Sequence, residues 1–383
     1  TADQFSRSQP TPPRPTPEAE ARMPENQGLV GLNDGTLGHQ SSLKLKRWQW
    51  WLLVAANIIF LLVGQSVAVL LGRFYYDQGG NSKWMATIVQ TVAFPILLIP
   101  LFLLSPDSSA SPSIATLTSL YFTLGVFIAG DNMMYSAGLQ YLSASTYSLI
   151  CVTQLAFNAV FSFLINKQKF TALILNSVIA LSISASLIAI NDDSSEPSGV
   201  SKLKYAVGFS CTLVASALYS LILSLMQLSF QRVIRKETFS IVLEMQIYTS
   251  VVATAASIIG LFASGEWRGL HGELRSFKKG RSAYVMTLVW TAVAWQVCSV
   301  GVVGLIFIAS SLFSNVISTV SLALVPLVSI AVFHDGVNAV KIIAMLLAVW
   351  GLGCYIYQNY LDDRGTRTTQ TSAAEPCLES CPD

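Results

Sequence analysis

Long runs without a charged side chain alternate with short polar breaks, and their lengths predict helices that cross a membrane. Uncharged runs fall at 48–72, 84–106, 170–191, 205–231, 245–265 and 342–361. Each compares with the about 20 apolar residues that span a hydrocarbon core of roughly 30 Å. Two longer runs must each hold a pair of helices: 108–166, interrupted only by Asp131, and 282–333, which has no Asp, Glu, Lys, Arg or His. The second would reach about 78 Å as one helix, so it folds back. The turns are expected near Gly138–Ser143 and at Ser310-Ser311. Six single spans and two pairs predict ten helices. The strict alternation of membrane β-strands is missing, so the fold class expected is all-α and integral to the membrane.

The ends of the chain differ in kind. Residues 1–45 hold Pro10, Pro12, Pro13, Pro15, Pro17 and Pro24 among Ser, Thr, Glu and Gly, a composition unable to bury a core and expected to be disordered. No cleavable secretory signal is expected there. Residues 362–383 are read as a second disordered tail, with Cys377 and Cys381 as solvated thiols. Between the tails, a shift of 167 residues lays the second half over the first, pairing Ser143 with Ser310, Ile150 with Ile317, Leu155 with Leu322, Ala156 with Ala323 and Ser162 with Ser329. Two five-helix repeats are expected, at 46–190 and 191–361. Five is odd, so the second copy enters the membrane inverted. That arrangement belongs to alternating-access transporters, whose substrate sits near the midplane where the repeats meet.

Composition narrows the class. Charged residues make up 11% of the chain and hydrophobic ones 52%, against about 25% charged in soluble domains. The solvent for most of the chain is lipid. A net charge of +2 gives no reason to expect nucleic acid as a partner. Three His and six scattered Cys suggest neither a metal cluster nor a disulfide framework, and no cofactor is expected. Basic residues flanking the spans tie between the two sides. The cluster Lys44, Lys46 and Arg47 before the first span, with Trp48, Trp50 and Trp51 as an interfacial anchor, favours both termini in the cytoplasm. A monomer or weak dimer is expected.

Polar groups inside the spans are the candidate chemistry. Asp131 in the third helix and Glu244 near the start of the seventh are costly in hydrocarbon and are candidates for proton coupling. A carboxylate that locks two helices is the other reading of each. On the fourth helix Tyr147, Cys151, Gln154, Asn158 and Phe161 recur at three- and four-residue steps and form one stripe. Asn132 and Tyr135 flank Asp131, Trp295 and Gln296 lie on the eighth helix, and Phe313, Asn315 and Ser318 on the ninth. Amides avoid lipid and point inward, where they serve either a ligand or helix-to-helix bonding. Asn and Gln present a donor beside an acceptor, matching the edge of adenine, and Tyr, Trp and Phe offer faces on which a base stacks. The spans hold no Lys or Arg away from helix ends, which disfavours nucleotide sugars and sugar phosphates. Pro95 and Pro100 in the second span and Pro326 in the ninth remove backbone donors and predict helix breaks suited to gating.

Six stretches together resemble the plant purine permeases, a branch of the drug/metabolite transporter superfamily. They are NIIFLLVGQSVAVLLGRFYYDQGGNSKWMATIVQTVAFPILL (57–98), GDNMMYSAGLQYLSASTYSLI (130–150), CVTQLAFNAVFSFLINKQKFTALILNS (151–177), EMQIYTSVVATAASIIGLFASGEW (244–267), WQVCSVGVVGLIFIASSLFSNVIST (295–319) and YQNYLDD (357–363). The resemblance covers residues 48–363. It implies ten helices in two inverted halves and proton-coupled uptake at the plasma membrane, driven by the proton gradient. The substrates it implies are adenine-like nucleobases and cytokinins, and in some members alkaloids or vitamin B6 forms. The chain departs from the family pattern at His334-Asp335-Gly336, where a Lys is expected after the Asp, and at 321–330 in the ninth helix.

Two further functions compete. An alkaloid or drug exporter would use the same fold with the opposite coupling of proton and substrate. A membrane enzyme would need a convergent cluster of His, Asp or Cys, whereas His39, His271 and His334 are far apart in sequence.

Overall fold

A computed structural model describes residues 47–103, 113–166, 171–190, 201–234, 239–333 and 339–374. The Pro-rich stretch 1–45, Lys44, Lys46, His334-Asp335-Gly336 and the two C-terminal cysteines lie outside these residues. Every element described is helical. In chain order they are α1 (Arg47–Asp77), α2 (Lys83–Val89), a 3-10 turn (Phe94–Leu97), α3 (Leu98–Leu103), α4 (Ile114–Tyr141), α5 (Ala144–Cys151), α6 (Gln154–Asn166), α7 (Ala172–Ile190), α8 (Lys202–Leu228) with a π-helical turn after it (Ser229–Ile234), α9 (Ser240–Ser264), a second 3-10 turn (Glu266–Arg268), α10 (Leu270–Ser276), α11 (Arg281–Ile308), α12 (Ser311–Phe333) and α13 (Ala339–Ala374).

Among the described residues, seven helical segments are long and apolar enough to cross a membrane: Trp48–Asp77, Lys83–Leu103, Ile114–Tyr141, Ala144–Ile165, Lys202–Ile234, Ser240–Ser264 and Arg281–Ile308. Shorter apolar stretches lie in α7 (Ala172–Ser184), α12 (Ser311–Ala323) and α13 (Ile342–Tyr355) among the described residues. Large apolar side chains such as Ile99, Phe102, Phe122, Ile259, Trp290 and Trp350 are exposed. Water would not tolerate so much exposed apolar surface, but lipid does. The chain is an all-α, multi-pass membrane protein. Trp48 and Trp51 are exposed, while Trp50 packs inward beside Leu53 and Ile58.

The turns fall where the uncharged runs required them, between Tyr141 and Ala144 and between Ile308 and Ser311. Pro95 ends the second span as one helix: α2 stops at Val89, and the chain resumes as a 3-10 turn with Pro95 in its first turn. No break follows at Pro326, where α12 runs unbroken to Phe333. The fourth span is interrupted at Val152-Thr153, where the Thr153 hydroxyl donates to Ile150 O at 2.7 Å, a local bond that competes with the helix ladder. The last helix continues past Asp363, where a tail is expected, to Ala374. No proline interrupts that stretch before Pro376.

α1 packs along α11 and α12, while α4 packs along α8 and α9. α6 lies against α8 and α12, α7 against α13, and α2 against α9 and α11. The approach of α1 to α11 depends on glycine. A Cβ on Gly64 would sit 2.7 Å from Cys298 N, and one on Gly301 would sit 2.7 Å from Asn57 O. Small residues let helix backbones meet where no hydrophobic effect drives them together.

Candidate functional site

A cavity of about 30 Å³ lies among α1, α2, α4, α5 and α11, room for little more than a water. Its lining is mostly aromatic: Tyr75 and Tyr76 from α1, Tyr135 from α4, Tyr147 from α5 and Trp295 from α11. Tyr135 meets Tyr147 edge to face at 5.9 Å and Tyr219 of α8 at 6.4 Å. Such rings offer the faces and edges that flat heteroaromatics stack against. Gln90, Ser136 and Thr291 supply polar groups on the same wall. Leu288, Thr291 and Trp295 lie on successive turns of α11, so the lining covers about 10 Å of that helix.

Asp131 is 3% exposed, and its Oδ1 has no hydrogen-bond partner. It lies close enough to Tyr135, Tyr147, Cys151 and Tyr219 to act on them electrostatically. No bond joins it to Tyr135, which instead meets Ser216 Oγ at 3.5 Å. Asn132 enters through its backbone, its carbonyl accepting from Gln90 Nε2 at 3.3 Å. Glu244 is half-buried and acts electrostatically on Tyr121, which stacks on Tyr248 at 5.4 Å. Tyr121 and Asp131 are ten residues apart on α4, about 15 Å, so the two carboxyls occupy different levels of the bundle.

The predicted amides gather where α1, α6, α8 and α12 cross. Gln154 Nε2 donates to Ser318 Oγ at 3.0 Å, and Ser318 Oγ donates to Gln65 Oε1 at 3.0 Å. The Gln154 carbonyl accepts from Ser220 Oγ at 2.6 Å and from Asn315 Nδ2 at 3.1 Å. Asn158 Oδ1 accepts from Ser224 Oγ at 3.3 Å, and its Nδ2 donates to Ser311 O at 3.4 Å. Two residues in this interior keep capacity for a ligand: Asn315 Oδ1 lacks a partner, and Gln296, 2% exposed, has neither amide atom bonded. Phe313 packs against the apolar cluster around Leu305 and Ile306. Of the sequence-predicted residues, Tyr135, Tyr147 and Trp295 therefore meet at the cavity. Gln154, Asn158 and Asn315 form a helix-spanning network, and Glu244 lies apart from both.

Three charged residues near helix ends, Glu273, Glu266 and Arg73, hold one end of the bundle together. Glu273, 8% exposed, accepts from Tyr75 OH, from Tyr284 OH at 3.1 Å and from Ser82 N at 3.2 Å. Glu266 Oε2 accepts from Ser82 Oγ at 2.7 Å and Trp84 N at 3.1 Å. These bonds strap the α9–α11 connection onto the α1–α2 connection, directly beside a tyrosine of the cavity. Arg73, 6% exposed, donates to Leu139 O at 3.1 Å and Leu142 O at 2.7 Å, and pairs with Asp77 at 2.6 Å. It covers carbonyls left open at the C-terminal end of α4.

A family model described as purine nucleobase transmembrane transport matches residues 52–365. The chain is also similar to several curated proteins of Arabidopsis thaliana. It is 67% identical over 336 residues to "Probable purine permease 11", covering 86% of this chain and 89% of that protein. With "Probable purine permease 13" the identity is 58% over 335 residues, covering 87% and 93%. With "Purine permease 21" it is 49% over 346 residues, covering 88% and 87%.

Proposed function

Because the chain belongs to the purine nucleobase transmembrane transport family, the purine permeases, we propose that it imports adenine-like bases by proton symport and alternating access. The observation that carries this reading is an aromatic cavity lined by Tyr135, Tyr147 and Trp295, with the buried Asp131, whose Oδ1 lacks a hydrogen-bond partner, close enough to Tyr135 and Tyr147 to act on them. A base stacks on the rings. Asp131 takes up a proton from the acidic side, and the neutral carboxyl crosses with the substrate because an ionised one is costly in the membrane interior. Return of the proton to the other side resets the carrier. The energy source is the proton gradient, and no cofactor takes part.

Alternating access is supported by the pairing of helices. Let α1 correspond to α8, α2 with α3 to α9, α4 to α11, α5 with α6 to α12, and α7 to α13. The contact of α1 with α11 then corresponds to that of α8 with α4, and α1 with α12 to α8 with α6. Likewise α4 with α9 corresponds to α11 with α2, while α7 with α13 and α6 with α12 map onto themselves. This is the pairing expected of ten spans in two inverted repeats, 46–190 and 191–361, rocking about a shared midplane. A monomer or weak dimer is the proposed state. Plasma-membrane residence belongs to the proposed uptake role, and the basic cluster before the first span supports both termini in the cytoplasm. Cytokinins fall within the substrate class, since they keep the purine ring and an N–H at the exocyclic nitrogen. Export of alkaloids or transport of vitamin B6-like compounds is the alternative on this fold.

The test is uptake of labelled adenine by cells expressing the protein, compared with empty-vector cells at acid and alkaline external pH. Uptake above the vector and greater at acid pH is expected. Uptake no greater than the vector at either pH would remove the importer reading.

A further inference from the structure

Gln90 ends α2, capping it one turn before Pro95 breaks the second span. Gln90 is 9% exposed and lines the cavity. The amide nitrogen is committed to the protein. Nε2 donates to Ser136 Oγ at 2.9 Å and lies 3.3 Å from both Ala86 O and Asn132 O. Backbone carbonyls accept and never donate, so these contacts fix which end of the amide is nitrogen. Two N–H bonds shared among three acceptors leave no donor for a ligand. Oε1 takes no hydrogen bond from the protein and remains available.

We propose that Gln90 is a specificity-determining residue of the purine site, its Oε1 accepting a hydrogen bond from the exocyclic amino group of an adenine-type base. The tyrosine hydroxyls of the cavity turn to donate or accept, so they do not choose between an amino and an oxo substituent. A clamped amide does choose. An exocyclic amine always presents an N–H, whereas the ring N–H moves between two nitrogens as the tautomer changes. A 6-oxo purine would set its oxygen against Oε1, two acceptors facing each other in a place with little water. Sites built to bond a group discriminate strongly against an analogue without it, because the protein atom is left unpaired. Ser136 acts one step back, holding the amide in this orientation.

The inference rests on the proposed purine transport, and the experiment separates the two. Apparent affinities for adenine and hypoxanthine are measured by competition against labelled adenine in cells, for the intact protein, Gln90→Met and Ser136→Ala. Binding is also followed by thermal stabilisation of the purified proteins, so a variant that no longer transports is still read. The intact protein prefers adenine, and Gln90→Met reduces the adenine-to-hypoxanthine preference about tenfold, the size expected for one buried hydrogen bond. Ser136→Ala shifts the preference in the same direction by less. An unchanged preference in Gln90→Met, or an equal loss for both bases, overturns the assignment. If the intact protein neither transports nor binds adenine, the purine reading fails and the role of Gln90 falls with it.

Discussion

Asp131 is surrounded by aromatic rings and a thiol, with Oδ1 unpaired in a residue 3% exposed. An unpaired carboxyl in such a place is costly as an anion and tolerable when neutral. Asp131→Asn keeps the shape and removes the proton exchange. Expected is retention of adenine exchange with loss of accumulation against a gradient, while Glu244→Gln, on a different level of α4's neighbourhood, keeps most of the accumulation. Counterflow and net uptake measured side by side check this, and accumulation by the Asn variant would reassign the coupling. Asp131, Tyr135, Tyr147 and Trp295 were legible in the sequence, because a polar or aromatic side chain stands out within an apolar run. Gln90 was equally visible as a polar residue five positions before Pro95. Thr87, one turn before it, bonds the same Ser136 hydroxyl at 3.2 Å, but Ser136 lies on another helix, so only the fold brings Gln90 to it and to the cavity. The amide stripe at Gln154 and Asn158 was read for its face, and its bonds to Ser318, Ser224 and Ser311 come from helices distant in sequence.

Helices here meet through small residues and through loops that bind one another. The contact of α1 with α11 leaves no room for a side chain at Gly301, whose Cβ would lie 2.7 Å from backbone atoms of α1. Gly301→Val is expected to cost about 1–3 kcal/mol or more, since backbone cannot move aside as a flexible side chain would. A lower melting temperature in detergent checks it; an unchanged one contradicts it. The strap between the α9–α11 and α1–α2 connections gathers on Glu273. Glu273→Ala leaves two tyrosine hydroxyls and Ser82 N without that acceptor, and about 2–4 kcal/mol of stability is expected to go with it. Glu273→Gln keeps an acceptor and loses less. Equal melting of the Ala variant and the intact protein would show that the strap adds nothing. Span positions and most turns could be read from uncharged runs because lipid imposes length. The inward turn of Arg73 and Glu273 could not be read from the sequence, since proximity to a helix end hides whether a side chain turns inward.

At the scale of the whole molecule, two halves of unlike sequence make matching contacts: α1 with α11 against α8 with α4, and α1 with α12 against α8 with α6. The sequence carried this as five identities in the fourth and ninth spans and as a common spacing, both faint because apolar residues replace one another freely in lipid. The pairing of helices is the stronger support for the proposed repeat. Rocking of the halves would open the cavity, now about 30 Å³, by parting the strap on one side or the Gln154 network on the other. The central claim is that an inward proton gradient drives a purine base through this cavity. It is tested most directly with the purified protein in liposomes, given labelled adenine and an imposed pH gradient, acid outside. Adenine is predicted to accumulate inside above its external concentration and to leak back when a protonophore is added. Accumulation that ignores the protonophore, or simple equilibration whatever the gradient, would contradict it.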